Sequence, residues 1–221
     1  MSRRSEILAE MGISPVWRLR SQATVEAPAA PAAPSASTID WIPLKAAVSG
    51  CTQCSLHQTR TQTVFGVGDE NADWMLIGEA PGAEEDRQGE PFVGQAGRLL
   101  DNMLAAIGLS RKNNVYIANV LKCRPPGNRD PKPEEAEQCT PYLLQQIALI
   151  KPKLIVAMGR HAAQTLLKSD DSIARMRGRV HSYAGVPLIV TYHPAYLLRT
   201  PEDKAKSWED LLFARKTMAS L

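Results

Sequence analysis

Residues 74–92, WMLIGEAPGAEEDRQGEPF, narrow the possible folds more than any other part of this chain. Four apolar residues, Trp74, Met75, Leu76 and Ile77, stop at Gly78-Glu79-Ala80-Pro81-Gly82, after which the sequence turns acidic until Phe92. A short apolar run ended by glycines and a proline is the pattern of a buried parallel strand whose carboxyl end opens into a loop. Open α/β sheets bind ligands at such ends. Glu79, delivered by that strand, is the first candidate for chemistry.

Strand-like runs recur at residues 115–118, 154–158 and 188–191, and helical stretches at 38–48, 95–107, 133–149 and 160–167 fill the intervals. Thr38 is a suitable N-cap for the first helix, and Gly50 ends it. Strands alternating with helices imply right-handed crossovers and a parallel sheet with helices on both faces. Each run also ends at something polar: Gly78-Glu79, then Asn119, then Gly159-Arg160-His161, then Tyr192-His193-Pro194. In a parallel sheet these ends share one edge, so Glu79, Asn119 and His193 are expected in a common cleft. His57, His161 and His181 read as satisfied loop histidines.

The 221 residues suffice for one well-buried domain with an extension. Residues 1–22 read as a short helical peptide with a tail, and residues 23–37, almost all Ala, Pro, Ser and Thr, as a flexible linker, because that composition cannot bury enough to offset chain ordering. The folded domain is expected over 38–221. The N-terminal piece is either a docking peptide for a protein partner or a dispensable extension. A net charge of +3 permits nucleic-acid binding without arguing for it. No apolar run approaches the roughly 18 residues of a membrane span, and the N-terminus lacks a secretory apolar core, so a cytoplasmic protein is expected.

In a reducing compartment the four cysteines are ligands or free thiols rather than a disulfide framework. Cys51 and Cys54 form a C-x-x-C pair, while Cys123 and Cys139 are separated by fifteen residues. The C-x-x-C precedes the first core strand and lies outside a βαβ unit, which disfavours a thioredoxin-like role. Four thiolates could hold zinc, although structural zinc sites usually pair two close knuckles.

GEAPG at residues 78–82, PFVG-x-AG-x-LLD at 91–101, Asn119 followed by Lys122-Cys123-Arg124-Pro125-Pro126, and His193-Pro194-Ala195 together resemble family 4 uracil-DNA glycosylases, the iron–sulfur branch of that superfamily. The resemblance runs from about residue 44 toward the C-terminus and includes all four cysteines. It implies an α/β/α fold of three layers around a four-stranded parallel sheet, and hydrolysis of the N-glycosidic bond of deoxyuridine in DNA to leave an abasic site. It further implies a [4Fe-4S] cluster held by Cys51, Cys54, Cys123 and Cys139. In the pocket it implies Phe92 stacking on an extruded uracil, Asn119 reading its amide edge, and His193 near its O2 oxygen. Glu79 would lie beside the attacking water, with Ala80 lining the pocket and Glu85 filling the space of a thymine methyl group.

The chemistry suits these residue types. Departure of the pyrimidine leaves negative charge on the base and positive charge on the sugar, which a histidine donor and a carboxylate respectively stabilise. An asparagine amide offers a donor and an acceptor to uracil, whereas cytosine presents the reversed pattern. Reaching the base requires flipping it, for which Leu198 and Arg199 on a tongue after His193 supply a wedge and a cation. Lys122, Arg124 and Arg177, with Arg129, Arg175 and Arg179, are the expected phosphate contacts.

Taken singly, each residue has a plainer reading: Glu79 as a helix-capping carboxylate, Asn119 as a turn former, Phe92 and Leu198 as packing, the arginines as a solvated face. Their joint order argues for an enzyme; with no lysine at a strand end except Lys122, assigned to phosphate, it is expected to be monofunctional, and a monomer is expected. The alternative is a replication- or repair-associated DNA-binding module that keeps the pocket without turnover, and Glu79 disfavours it, because a binder has no use for a carboxylate at the scissile bond. The related branch that traps uracil-DNA through a loop histidine is disfavoured, since residues 124–130 contain none.

Overall fold

The protein is described here by a computed structural model covering residues 3–12 and 40–221. Contacts divide the chain between Ser37 and Thr38. In the first unit α1 (Arg3–Glu10) is a short helix with Ile7 exposed. The expected linker at 23–37, the rest of the 1–22 segment and the expected N-cap Thr38 lie outside the described residues.

The second unit runs α2 (Trp41–Ser49), β1 (Val67–Gly68), β2 (Trp74–Gly78), α3 (Ala83–Gln88), α4 (Gln95–Ala106), β3 (Val115–Asn119), α5 (Pro133–Ile150), β4 (Leu154–Met158), α6 (Arg160–Leu167), α7 (Ile173–Met176), β5 (His181–Tyr183), β6 (Val186–Thr191), α8 (Pro194–Arg199) and α9 (Lys204–Met218). Asp40 caps α2, its Oδ1 accepting from the Trp41 N–H at 2.6 Å. Pro133 opens α5, where its missing N–H is not needed, and Glu135 accepts from the Lys132 N–H at 2.9 Å.

The sheet order is β1-β3-β2-β4-β6-β5. β3, β2, β4 and β6 are mutually parallel, as expected, and every residue of β2, β3 and β4 is buried. Alternate side chains serve two cores. Met75, Ile77, Tyr116, Ala118, Ile155 and Ala157 pack with Leu143 and Ile147 of α5 and Leu166 of α6. Leu76, Ile117, Val156 and Ile189 pack with Leu100 and Leu104 of α4 and Ala214 of α9. The result is three layers, α/β/α. The expected central four-stranded parallel sheet is present, and β1 and β5 extend it to six strands by pairing antiparallel onto β3 and β6 at the two edges. Both are only two or three residues long and neither carries an apolar run, so they left no strand signal; short edge strands of this kind blunt a sheet edge.

From β2 the chain passes to β3 on one side and then crosses to β4 on the other. β2 therefore stands at the switch point of the sheet, where the connections diverge and open a crevice beyond the carboxyl ends.

Candidate active site

A cavity of about 820 Å³ occupies that crevice, and its wall includes Glu79, Ala80, Glu85, Phe92, Asn119 and His193. The three strand tips predicted to meet do so. Gly78 and Asn119 are register partners at the ends of β2 and β3, and the pairing continues outward as Val120 and Leu121 N–H groups donate to the Gly78 and Glu79 carbonyls at 3.0 Å each. Glu79 therefore leaves a strand whose backbone is still fixed.

The glycine beneath it is required by space. A Cβ on Gly78 would lie 2.4 Å from Asn119 Oδ1 and 2.6 Å from Phe92 Cζ. Phe92 itself is buried and has φ +56°, a backbone state that costs a bulky residue energy and persists only when its surroundings impose it. Arg111 does so: it donates to the Pro91 and Phe92 carbonyls at 3.2 and 2.9 Å and is held by Asp101 at 2.7 Å. Glu85 ties the other side of the loop, accepting from the Gly82 N–H at 3.1 Å and the Val93 N–H at 3.0 Å. The ring of Phe92 stacks beside His193, centroids 5.4 Å apart.

Two features of the polar groups bear on chemistry. Asn119 is 2% exposed, and its Oδ1 has no hydrogen-bond partner. His193 Nδ1 accepts from the Ala195 N–H at 3.1 Å, which leaves the ring proton on Nε2; burial, aided by Arg199, pushes its pKa down to about 4, so the imidazole is neutral at pH 7. Burial, then the neighbouring Asp130, push the Glu79 carboxyl up to about 7, against a smaller opposing pull from Arg160.

The expected DNA contacts are divided between the protein interior and the cavity rim. Lys122 is not placed for phosphate: it is 1% exposed, its ammonium donating to the Asn119 carbonyl at 2.8 Å and Gln146 Oε1 at 2.7 Å, with its pKa lowered to about 7 by burial. The loop after β3 turns it under the sheet, where α5 supplies the acceptor. Arg177 is also engaged inside the protein, its Nε 2.9 Å from the buried Asp210 and its guanidinium over the Tyr192 ring at 5.4 Å. Arg129 lines the cavity but is paired to buried Glu135. Leu198 is 43% exposed on α8, Arg199 lines the cavity, and Arg124 bonds Asn128 within its own loop at 2.7 Å. Sequence reading missed Asp130 and His161, both in the cavity wall, and Arg111; the polar Gly159-Arg160-His161 strand end was the available signal for the second of these.

All four cysteines line one small second cavity, with His57, Arg60, Lys122 and Tyr142. Cys123 and Cys139 are buried, and Arg60 Nη1 donates to Cys123 Sγ at 3.0 Å.

Comparison with known proteins agrees with this geometry. A family model described as the uracil DNA glycosylase superfamily matches residues 65–212. A type-4 uracil-DNA glycosylase of Archaeoglobus fulgidus is 50% identical over 163 residues, covering 70% of this chain and 81% of the relative. Those of Sulfurisphaera tokodaii and Thermotoga maritima are 45% and 44% identical, covering 72% of this chain in each case and 76% and 83% of the relatives. With the fold, the cleft and the cysteine cavity in the same chain, the protein belongs to the uracil-DNA glycosylase superfamily, in its type-4 branch, and is a hydrolase of N-glycosyl bonds acting on uracil-containing DNA.

Proposed function

We propose that the cavity at the β2 and β3 tips takes an everted uracil and that the residues around it divide the work as follows. Phe92 stacks on the ring, the Asn119 amide meets the N3–H and O4 edge, and neutral His193 donates from Nε2 to O2. The observation that carries this reading is the lone Asn119 Oδ1, a buried acceptor without a donor: uracil brings an N3–H to it, whereas cytosine would bring a second acceptor and leave both unpaired. Glu79 orients a water whose oxygen bonds to C1′ while the C1′–N1 bond breaks; the electron pair leaves with the base, where the His193 donor stabilises it, and the water proton passes to Glu79. A carboxyl pushed up to about 7 is suited to accept that proton near neutral pH. Leu198 and Arg199 would fill and grip the duplex at the rim, and Glu85 acts by holding the Gly82 and Phe92 loops around the base.

The four-cysteine cavity fits a [4Fe-4S] cluster. Its four cysteines come together from the end of α2, the loop after β3 and α5. The Arg60 donor to Cys123 suits a charged thiolate. When bound, the cluster would act as a structural clip between α2, the loop after β3 and α5.

The division into a 1–22 peptide, a 23–37 linker and a 38–221 catalytic domain belongs to the same reading. So do a protein partner for the N-terminal peptide, supported by exposed Ile7 and Met11, and a monomeric enzyme, since one chain supplies every proposed catalytic group. A cytoplasmic setting is supported by four cysteines free of disulfides.

The test is release of uracil from an oligonucleotide with a single dU, read as alkali-labile abasic sites. Wild type should cleave dU and spare dT, Glu79→Gln should lose about 10²–10⁴-fold, and Asn119→Ala should lose most activity. Full activity in either variant would overturn the assignment of that residue.

A further inference from the structure

The cavity is larger than one pyrimidine needs, and its far wall holds a polar group that the uracil reading leaves unused. Glu79 from the end of β2, Asp130 from the loop before α5 and His161 from the first turn of α6 present ligand atoms that all lie within 4.8 Å of one another. His161 Nε2 stands between two partners of opposite charge. It is 3.1 Å from Asp130 Oδ2 and 3.1 Å from Arg160 Nη2, while Arg160 and Asp130 are themselves 3.9 Å apart. These contacts exclude each other: Nε2 accepts from the guanidinium only without its proton and pairs with the carboxylate only with it.

We propose that Asp130, Arg160 and His161 are positioning residues that set the charge state of Glu79, with His161 selecting which of the two charges faces it. This rests on Glu79 being the water-activating carboxylate. With Nε2 bare, His161 engages Arg160 and leaves the Asp130 charge uncompensated toward Glu79. With Nε2 protonated, His161 covers Asp130 and releases Arg160. The same two residues are the charges that act on Glu79, Asp130 holding its proton on and Arg160 helping it off. The other charged groups around the cavity, Glu85 on α3, Arg129 in the loop and Arg199 on α8, are fixed by their own partners or lie on the His193 side, where Glu85 and Arg199 act on that ring. Asp130 is 68% exposed, so solvent screens its effect and the expected shifts are modest.

The sign follows directly. Activity needs ionised Glu79, so the rate rises with pH through its titration. Removing the Asp130 charge eases ionisation and moves the midpoint down; removing the imidazole removes the Nε2–H donor that covers Asp130 and moves the midpoint up. The experiment is single-turnover cleavage of a dU oligonucleotide at saturating enzyme across pH 5–9. Asp130→Asn should lower the midpoint by about 0.5 pH unit, roughly a threefold gain on the acid limb relative to its own plateau, and His161→Gln should raise it by a similar amount. Asp130→Glu should restore the wild-type midpoint. Equal midpoints in wild type, Asp130→Asn and His161→Gln, or shifts of the opposite sign, overturn the proposal, whatever the plateau heights. If Glu79→Gln keeps the acid limb, Glu79 itself is misassigned; if it loses the limb and the other two variants do not move it, only the triad's role fails.

Discussion

Gly78 has no side chain because Asn119, the proposed uracil reader, and Phe92, the proposed stacking ring, occupy the space where one would be. Adding a methyl group at 2.4 Å from Asn119 Oδ1 and 2.6 Å from Phe92 Cζ must push both. Gly78→Ala should therefore cost about 1–3 kcal/mol in denaturant unfolding and at least about 100-fold in single-turnover uracil release, since small misplacements of positioning groups are expensive. A loss of stability with activity intact would mean that neither residue needs its observed place. At this scale legibility followed location. Glu79, Asn119 and His193 were readable because apolar runs end at them. Lys122 was misread because its burial depends on Gln146, 24 positions away, and Phe92's unusual φ depends on Arg111; neither partner is visible in a local window.

Among the elements, α8 carries the proposed wedge and is set on the body of the protein by side chains rather than by its own six residues. His193 caps it, Tyr196 donates to Asp203 at 2.6 Å and stacks on Tyr192, and Arg177 bridges the Tyr192 ring to Asp210 of α9. Arg177→Ala should behave as the loss of an internal partner, not of a phosphate contact. With Asp210 only 2% exposed, we expect a cost of about 3–5 kcal/mol, largely recovered in the Arg177→Ala/Asp210→Asn double variant. The salt dependence of DNA binding should keep its slope; a slope shallower by about one would return Arg177 to the DNA. The parallel strands were legible because both faces are covered, so each reads as an unbroken apolar run. β1 and β5 were not, being short and half-exposed edge pieces whose existence is decided by the neighbours they join.

For the molecule as a whole, one loop joins the two proposed centres. Residues 119–123 begin at the proposed base reader and end at a proposed cluster ligand, and Lys122 between them bonds the Asn119 carbonyl. Replacing Cys123 with Ser should abolish the broad visible absorbance of an iron–sulfur protein. Closing loops of this length is worth about 4 kcal/mol, so the melting temperature should fall by about 8–16 °C. A colourless wild type carrying zinc would refute the cluster. In the cleft, the buried Asn119 Oδ1 is an acceptor to which no protein group donates. On the proposed reading an imide N3–H would supply that donor, so part of the selectivity for one nucleobase would come from matching an acceptor that the protein's own groups leave unmatched.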